Sequence, residues 1–309
     1  MTLFLIPLLV LALDADQDGL SDSLEAELIE KFRPQFLLDT EECAGRPAAF
    51  VPSSVTPAVE AQNGTIYARV SPFVLAEAHV YAAEVHYYHL WERDCGAMNP
   101  HHLDVEHVSV LVSAASRDAP AEAWRARYWY AAAHESTVCD TSNAARAEVL
   151  RAVDRGARVW ISSGKHASYL VPELCRQRGC GGDRCENMTP LPPGALINIG
   201  EADHPLAGAV WTASPEWPFR EKLGSDFDAE LIAALDRTDD RVVARANGDW
   251  RTTHVALSIG GDVIGAAGAV GRHGGSAVES AQRETGSAIG RAFRAVGRAL
   301  FGAKKSDAP

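Results

Sequence analysis

Acidic residues near the start of the chain have the spacing of a calcium-binding loop. In residues 14–25, carboxylate side chains occupy positions 1, 3, 5, 9 and 12 of a twelve-residue loop, and Gly19 stands at position 6. Ca²⁺ takes six to eight oxygen ligands, and the backbone carbonyl at position 7 of such loops supplies one of them. The expected ligands are Asp14, Asp16, Asp18, Leu20 (through its carbonyl), Asp22 and Glu25. The alternative is an acidic helix cap that matches the pattern by coincidence.

The sequence has one such loop, and no helix precedes it. This arrangement resembles the calcium clips of dockerins and thrombospondin repeats more than a paired EF-hand sensor. We therefore expect residues 13–31 to form a structural calcium-binding loop and the helix that follows it.

A second group of ionisable residues lies in the middle of the chain, within residues 94–108. Its members are Asp94, His101, His102, Asp104, Glu106 and His107. The two-residue period of a strand places Asp104 and Glu106 on one face, ahead of three valines at 108, 110 and 112. Two carboxylates that lead into an apolar row require compensation by a cation or by hydrogen bonds. His101 or His102 would complete a mixed nitrogen–oxygen metal site, and a hydrogen-bonded polar rim at a sheet edge is the alternative.

The elements that position these residues are predicted from hydrophobic periodicity and from the content of Val, Ile, Tyr and Trp. Strands are predicted at residues 66–75, 79–91, 105–114, 125–133, 159–162, 195–199 and 209–213. Helices are predicted at residues 24–36, 144–155 and 226–236. Strands separated by long loops, with helices in no strict alternation, favour a mainly β, predominantly antiparallel α+β body or β-sandwich over residues 32–257.

The N-terminus and the cysteines predict export to a secreted or periplasmic location. Residues 1–12 are almost entirely apolar and have small residues, Val10 and Ala12, suited to cleavage of a signal peptide after Ala12. The segment lacks Lys and Arg, and a buried N-terminal strand is the alternative. The cysteines are Cys43, Cys95, Cys139, Cys175, Cys180 and Cys185. An even number without CxxC spacing predicts up to three disulfides, with fifteen possible connectivities, whereas free thiols would indicate the cytosol.

The composition supports one globular body and excludes one class of partner. The chain has 309 residues, 47% of them hydrophobic, and a formal net charge of −12 that argues against nucleic acid binding. Residues 258–309 are predicted to be a Gly/Ala-rich linker and a basic amphipathic helix. Apolar residues Phe293, Val296 and Leu300 and basic residues Arg291, Arg294 and Arg298 recur there at helical spacing. Such a helix would lie on an anionic lipid surface or pack on the acidic body.

Three short segments resemble motifs of known families. The segment His101-His-Leu-Asp104-Val-Glu106-His107-Val108 resembles the His-Arg-His-Asp-Trp-Glu-His-Val core of the necrosis- and ethylene-inducing peptide-like proteins. It also resembles the Gly-Asp-Trp-Glu-His-Val core of the family named after vacuolar protein sorting-associated protein 62. Ala133-His134-Glu135 and Val159-Trp-Ile-Ser-Ser-Gly164-Lys-His166-Ala-Ser-Tyr169 resemble two further motifs of the second family, in the same order.

The resemblance implies a β-sandwich with a metal-bearing pocket at one end. In the necrosis-inducing proteins, a divalent cation in this pocket helps to bind sphingolipid head groups before membrane damage. Carried over by position, His101, Asp104 and Glu106 would be the metal ligands. Asp94 is the nearest upstream acid, although its spacing departs from the family pattern. The cation would be Ca²⁺, Mg²⁺ or Zn²⁺.

Two positions depart from the family cores, since Val105 replaces the tryptophan and Leu103 the second histidine. These changes affect the expectation of toxin activity more than that of the fold or metal. The sequence thus favours a secreted calcium-binding protein that binds a lipid head group, a glycan or a membrane surface through a second cation.

A secreted metal-dependent hydrolase is the alternative function. His134, Glu135 and His166 are the candidate catalytic residues, because convergence on the same pocket would let His134 or Glu135 act as general base toward a metal-activated water. Each residue could instead be a hydrogen-bonded side chain at a strand end. A third hypothesis is an extracellular structural module without a ligand.

Overall fold

The computed structural model describes residues 13–77, 79–96, 100–178, 183–239, 241–246 and 248–256. The predicted signal peptide at residues 1–12, the C-terminal linker and helix at residues 258–309, and Cys180 lie outside these residues. All described residues belong to one compact unit.

The described chain contains helices, short 3-10 turns and many strands. The helices are α1 (Asp22–Lys31), α2 (Pro172–Arg178) and α3 (Ala229–Asp236), and the 3-10 turns are Ala121–Ala123, Val210–Ala213 and Pro218–Leu223. The strands are β1 (Gln35–Asp39), β2 (Ala49–Phe50), β3 (Val59–Ala61), β4 (Ile66–Phe73), β5 (Tyr81–Asp94), β6 (His101–Ala114), β7 (Arg125–Ala131), β8 (Asn143–Arg146), β9 (Arg158–Ile161), β10 (Ser168–Tyr169), β11 (Met188–Pro190), β12 (Leu196–Asn198), β13 (Gly200–Glu201), β14 (His204–Pro205), β15 (Arg241–Ala246) and β16 (Asp249–Ala256).

Two main sheets form a sandwich-like arrangement. The large sheet has the order β12-β4-β5-β6-β7-β8-β15-β16 and is antiparallel except where β12 meets β4. The small sheet has the order β10-β9-β1-β11, with β1 and β9 parallel. One apolar core contains Phe36 and Val159 from the small sheet and Tyr87, Val110 and Trp129 from the large sheet. The predicted mainly β fold is therefore confirmed.

The opposite face of the large sheet is covered by the chain between β12 and β15. Three aromatic side chains, Trp211, Trp217 and Phe219, form one apolar cluster there with Tyr88 of β5, whose ring lies 4.9 Å from that of Phe219. Farther along the same face, α3 packs through Leu231. Because both faces of the central strands are covered, polar side chains on these strands need partners inside the protein.

Helix α1 attaches the acidic loop to the sandwich. The side chain of Ser21 caps the helix by accepting a hydrogen bond from the backbone N–H of Leu24. Leu28 is fully buried in the core. The hydroxyl of Tyr87 in β5 donates a 2.9 Å hydrogen bond to the carbonyl of Ile29. The end of the acidic loop is thus fixed relative to the large sheet.

The predicted helix at residues 24–36 is too long. Helix α1 ends at Lys31, and β1 begins at Gln35. Pro34 cannot donate a backbone hydrogen bond and disfavours a helical conformation at the residue before it. The turn packs against Gly156, where an added Cβ would lie 1.7 Å from the carbonyl oxygen of Arg33. This close approach brings β1 beside β9.

The predicted helix at residues 144–155 is wrong, because the chain forms β8 and then turns. Ala144 and Ala145 are fully buried between β7 and β15, where sheet pairing overrides their helix propensity. The strand predicted at residues 209–213 is also wrong, since Val210–Ala213 is a 3-10 turn. The helix at residues 226–236 is confirmed as α3, capped by Asp228. The remaining predicted strands are present with shifted ends, whereas α2 and the strands β1–β3, β10, β11 and β13–β16 were not predicted.

Two disulfides fix loops beside the polar residues of interest. Cys43 pairs with Cys95 across 52 residues, and Cys175 pairs with Cys185 across 10 residues. Cys139 is also disulfide-bonded. Disulfides of this kind are typical of secreted and periplasmic proteins. Within the described part of the chain, no helix is both long enough and apolar enough to cross a membrane.

Candidate functional site

The acidic loop folds so that its carboxylates gather on one centre. Oxygen atoms of Asp14, Asp16 and Asp18 lie within 4.8 Å of one another, and Asp16 forms a second such group with Asp22 and Glu25. The structure therefore brings together all five acidic residues that the sequence predicts as ligands.

Local backbone geometry produces this convergence. Gly19 has a φ of +93°, a conformation that side chains disfavour, and its N–H donates to Oδ2 of Asp14 at 3.1 Å. The N–H of Leu20 donates to Oδ1 of Asp18 at 2.6 Å. These bonds turn the loop tightly and leave the other carboxylate oxygens directed inward.

Five carboxylate oxygens of the loop are buried without a hydrogen-bond partner: Asp14 Oδ1, Asp16 Oδ1 and Oδ2, Asp18 Oδ2 and Glu25 Oε1. Burial raises the pKa of Asp16 to about 6, and the charge of Asp18 adds to the effect. Burial raises the pKa of Glu25 to about 9, with a further contribution from Asp16. Buried carboxylates without partners are costly, so the donor set fits a hard cation such as Ca²⁺.

The loop is anchored to the large sheet and borders an open cleft. The side-chain amide of Asn198 in β12 donates a 2.8 Å hydrogen bond to Oε2 of Glu25. A cleft of about 370 Å³ beside the loop is lined by Gln17, Arg69 and Glu201, among other residues. Arg69 Nη2 lies 2.6 Å from Oε2 of Glu201 in an ion pair.

The second predicted cluster lies where β5 ends and β6 begins. Nδ1 of His101 is 3.8 Å from Oδ2 of Asp94, and its Nε2 is 3.8 Å from Oδ1 of Asp104. His101 remains 46% exposed. Nζ of Lys165 lies 2.6 Å from Oδ2 of Asp94, so this carboxylate has an ammonium partner. The neighbouring His102 is exposed.

Asp94, His101, Asp104 and Lys165 form a polar rim at this end of the sheet. Behind the rim, the side chain of His166 lies between two carboxylates. Its Nδ1 lies 2.7 Å from Oδ2 of Asp104, and its Nε2 lies 3.4 Å from Oε1 of Glu42. The imidazole stacks on Trp91 with ring centroids 3.9 Å apart and planes 7° apart. Burial alone would lower the pKa of His166, but both carboxylates oppose it and raise the pKa to about 9. Despite burial, the pKa values of Asp104 and Glu42 are lowered by the same imidazolium.

Glu106 lies two residues beyond Asp104 along β6, opposite His89 of β5. Its side chain is buried and Oε2 has no hydrogen-bond partner. Burial raises the pKa of Glu106 well above its ordinary value, the charge of Lys222 opposes the shift, and the charge of Asp104 adds to it. Among the described residues, neither His101, Asp104 nor Glu106 belongs to a group of three His, Cys, Asp or Glu donors within 4.8 Å of one another. The pocket metal stays a prediction.

The first two catalytic candidates have separate sets of partners. Nε2 of His134 lies 2.8 Å from Oδ2 of Asp183. Glu135 accepts hydrogen bonds from the hydroxyl of Tyr130 at 2.7 Å and from Nζ of Lys222 at 2.8 Å. Burial would raise the pKa of Glu135, but the charges of His107 and Lys222 lower it to about 2. With His166 occupied by Asp104 and Glu42, each candidate is engaged in its own ion pair.

Several partners in these networks were not identified from the sequence. Glu42 directly precedes Cys43, and Lys165 directly precedes His166. Their position next to a predicted disulfide cysteine or a motif histidine was the sequence feature that could have identified them. Lys222 lies 87 residues from the Glu135 that it binds, and no local pattern indicates the contact.

Comparisons with known proteins give low-identity structural neighbours. No family model matches the chain, and no curated protein matches it. A solved structure described as "Toxin fold for microbial attack and plant defense" is 16% identical, with a TM-score of 0.37, over 70% of this chain and 99% of that chain. The structure "NLPPya in complex with glucosamine" is 15% identical, with a TM-score of 0.36, over 70% of this chain and 98% of that chain.

A third neighbour is Necrosis and Ethylene inducing Protein 2 from the causal agent of cocoa's Witches Broom disease. It is 13% identical, with a TM-score of 0.32, over 68% of this chain and 93% of that chain. These neighbours are toxin-fold proteins of the necrosis- and ethylene-inducing kind, and such low similarity carries no inference about activity. The similarity to the family of vacuolar protein sorting-associated protein 62 stays a prediction from short motifs.

Proposed function

We propose that the protein is an exported, calcium-binding β-sandwich protein that binds a glycan or a lipid head group at the rim around His101. The observation that carries the calcium proposal is the set of five buried carboxylate oxygens without hydrogen-bond partners. Buried carboxylate oxygens without partners are costly, a bound cation would compensate them, and an all-oxygen donor set suits Ca²⁺. The six predicted ligands, from Asp14 to Glu25, would hold it.

The calcium ion would act as a structural clip. Glu25 belongs to α1, and its side chain accepts a hydrogen bond from Asn198 of β12, the strand at the edge of the large sheet. A cation bound by the loop would therefore tie the N-terminal segment to the sandwich. Calcium that binds only the folded state stabilises that state according to its concentration and affinity.

The rim offers both hydrogen-bond donors and hydrogen-bond acceptors to a ligand. Asp94 accepts hydrogen bonds, Lys165 donates them, and the half-exposed His101 can do either. The Cys43–Cys95 disulfide fixes this end of β5. Hydroxyl groups of a sugar, or a charged head group of a lipid, match such a mixture of donors and acceptors.

A second divalent cation in this rim belongs to the proposal. His101 and Asp104 would hold it together with Asp94, and the unpaired Oε2 of Glu106 is the further donor that the sequence predicts. The ammonium of Lys165 competes with the cation for Asp94. The cation would supply a charged contact for ligand oxygens, while His101 and Lys165 would orient the ligand.

Direct binding measurements test the ligand proposal. Glucosamine, mannosamine and anionic or sphingolipid vesicles serve as probes, with Ca²⁺ present or chelated. We expect saturable binding of one class of probe that is lost in His101→Ala and retained in His79→Asn, a change of an exposed histidine elsewhere on the chain. The absence of binding to every probe, or equal binding by both variants, would contradict the proposal for the rim without affecting that for calcium.

A further inference from the structure

A separate cluster of ionisable residues is buried on the face of the large sheet that the chain between β12 and β15 covers, here called the outer face. Its members are Glu84 and His86 in β5, His107 in β6, and Asp226 in the segment before α3. His86 is fully buried, and Glu84 and His107 are each 1% exposed. The calcium loop and the rim around His101 use none of these four residues.

Two imidazole rings from neighbouring strands converge on one carboxylate. Nε2 of His107 lies 2.9 Å from Oδ1 and 3.1 Å from Oδ2 of Asp226. Nδ1 of His86 lies 3.6 Å from Oδ2 of the same carboxylate. A ligand atom from each of the three residues lies within 4.8 Å of the other two.

These separations suit the ligands of a tetrahedral metal. Zn²⁺ binds nitrogen and oxygen ligands at about 2.0 Å, which puts adjacent ligand atoms roughly 3.3 Å apart in a tetrahedron. We infer that His86, His107 and Asp226 bind a divalent transition metal of the zinc type. Three protein ligands leave the fourth position to a water molecule or a small anion.

Glu84 supplies the outer-shell contact that a metal-bound histidine requires at His86. Nε2 of His86, the nitrogen that faces away from Asp226, lies 3.3 Å from Oε1 of Glu84. A carboxylate in this position fixes the ring and its tautomer in many metal sites. Glu84 is itself held by the hydroxyl of Ser225 at 2.6 Å and by the backbone N–H of Asp226 at 2.9 Å.

A metal-free ion-pair network is the competing explanation. An imidazolium at His86 would donate hydrogen bonds from both ring nitrogens to the flanking carboxylates. Neither nitrogen of His86 makes a hydrogen bond of good geometry, and Nδ1 of His107 also has no hydrogen-bond partner. One divalent ion would neutralise the charges of Glu84 and Asp226 together while both imidazole rings stay neutral, which is the form that ligates a metal.

This site differs from the calcium loop in the residues that surround it and in the type of its ligand atoms. The ring of His86 stacks on Tyr88 at 5.7 Å, and His107 lies 5.8 Å from the ring of Tyr130. These aromatic residues belong to the two apolar clusters of the outer face. Imidazole ligands favour transition metals over Ca²⁺, whereas the all-oxygen loop has the opposite preference.

Metal analysis of the full-length protein tests the inference. After removal of metals with a chelator and reloading with Zn²⁺ in excess Ca²⁺, we expect one bound zinc per chain. His107→Gln should lose that zinc, whereas His79→Asn, which changes an exposed histidine outside both proposed cation sites, should retain it. Glu25→Gln should also retain zinc while losing calcium, which separates the two sites.

Cobalt spectroscopy on the unmodified protein gives a result that does not depend on the folding of a variant. Co²⁺ at this site should give the intense visible absorption of a tetrahedral complex, and added Zn²⁺ should abolish it. The inference is overturned if reloaded protein holds no zinc and gives no such absorption. It is also overturned if His107→Gln folds and keeps its zinc, or if the zinc is lost from His79→Asn instead.

Discussion

The side-chain amide of Asn198 donates a 2.8 Å hydrogen bond to Oε2 of Glu25, joining the edge strand β12 to the last acidic position of the N-terminal loop. The other oxygen of the same carboxylate, Oε1, is buried without a hydrogen-bond partner. One oxygen is therefore fixed by the sandwich, and the other is directed at the centre shared with Asp16. A cation bound by the short loop would therefore affect the stability of the whole domain.

The stability of the calcium-free protein is predicted to fall as the pH rises. The pKa of Glu25 is raised from 4.5 to about 9 in the folded protein. Between these values the folded state holds a proton that the unfolded state has lost, so the free energy of unfolding decreases with increasing pH. Asp16, with a pKa raised from 3.8 to about 6, acts in the same direction at lower pH.

Urea denaturation at pH 5 and pH 8, with chelator or with saturating Ca²⁺, measures this effect. Calcium should remove the part of the pH dependence that comes from the loop, and Glu25→Gln should remove most of it even in chelator. If chelated and calcium-saturated protein show the same pH dependence, the buried acids are not the cause.

His166 is predicted to stabilise the protein at neutral pH and to lose that contribution in alkali. Its pKa is raised from 6.5 to about 9, so the contribution is fully present below pH 6.5 and disappears as the pH rises through 9. His166→Asn leaves Asp104 and Glu42 without their shared cation. Breaking a buried ion pair in this way costs about 3–5 kcal/mol.

Denaturation of calcium-saturated protein between pH 6 and pH 10 checks this prediction. His79→Asn, a change at an exposed position that does not contact Asp104 or Glu42, is the matched control and should retain the unmodified pH profile. A destabilisation by His166→Asn that is the same at pH 6 and pH 10 would point to lost packing on Trp91 rather than to a lost charge.

Removal of the Lys165 ammonium is predicted to strengthen cation binding at the rim. Nζ of Lys165 lies 2.6 Å from Oδ2 of Asp94, where it would compete with the proposed divalent ion. Lys165→Met keeps the length of the side chain and removes the charge, so the affinity for Ca²⁺, Mg²⁺ or Zn²⁺ at this position should rise by at least about tenfold, or ~1.4 kcal/mol. Calorimetric titration measures the gain, and the added substitution His101→Ala should cancel it. An unchanged affinity in Lys165→Met would argue against a cation beside Asp94.

The disulfide between Cys43 and Cys95 is predicted to be a main contributor to stability. It closes a loop over a sequence separation of 52 residues. For a loop of this size, the chain-entropy relation gives a loss of ~4 kcal/mol on replacing both cysteines with serine. Chemical denaturation of the double variant measures the loss, and the equivalent change at Cys175 and Cys185, whose separation is 10 residues, should cost less. The reverse order would show that native-state contacts, rather than loop length, set the contribution.

Features that depend on local spacing could be predicted from the sequence. The positions of Asp14 to Glu25 follow from one short pattern, and the central strands follow from alternation over eight to fourteen residues. His101 and Asp104 were predicted as ligands of one metal; the structure places their side chains 3.8 Å apart and adds His166 as the hydrogen-bonded partner of Asp104.

Features that depend on distant contacts could not be predicted in this way. The alanines of β8 have high helix propensity and become a strand because two partner strands flank them. Asp226 reaches His107 across 119 residues, and nothing in the sequence near either residue indicates that contact. The outer-face cluster was therefore identified only when the fold had brought its members together.

Calcium stoichiometry measured by calorimetric titration tests the central claim most directly, with full-length protein, Glu25→Gln and Glu106→Ala compared under the same conditions. We predict one calcium ion bound at the loop in the unmodified protein, retention of that ion in Glu106→Ala, and an affinity in Glu25→Gln that is lower by at least about tenfold, or ~1.4 kcal/mol. Failure of the unmodified protein to bind calcium at millimolar concentration, or equal binding by Glu25→Gln, would contradict the claim.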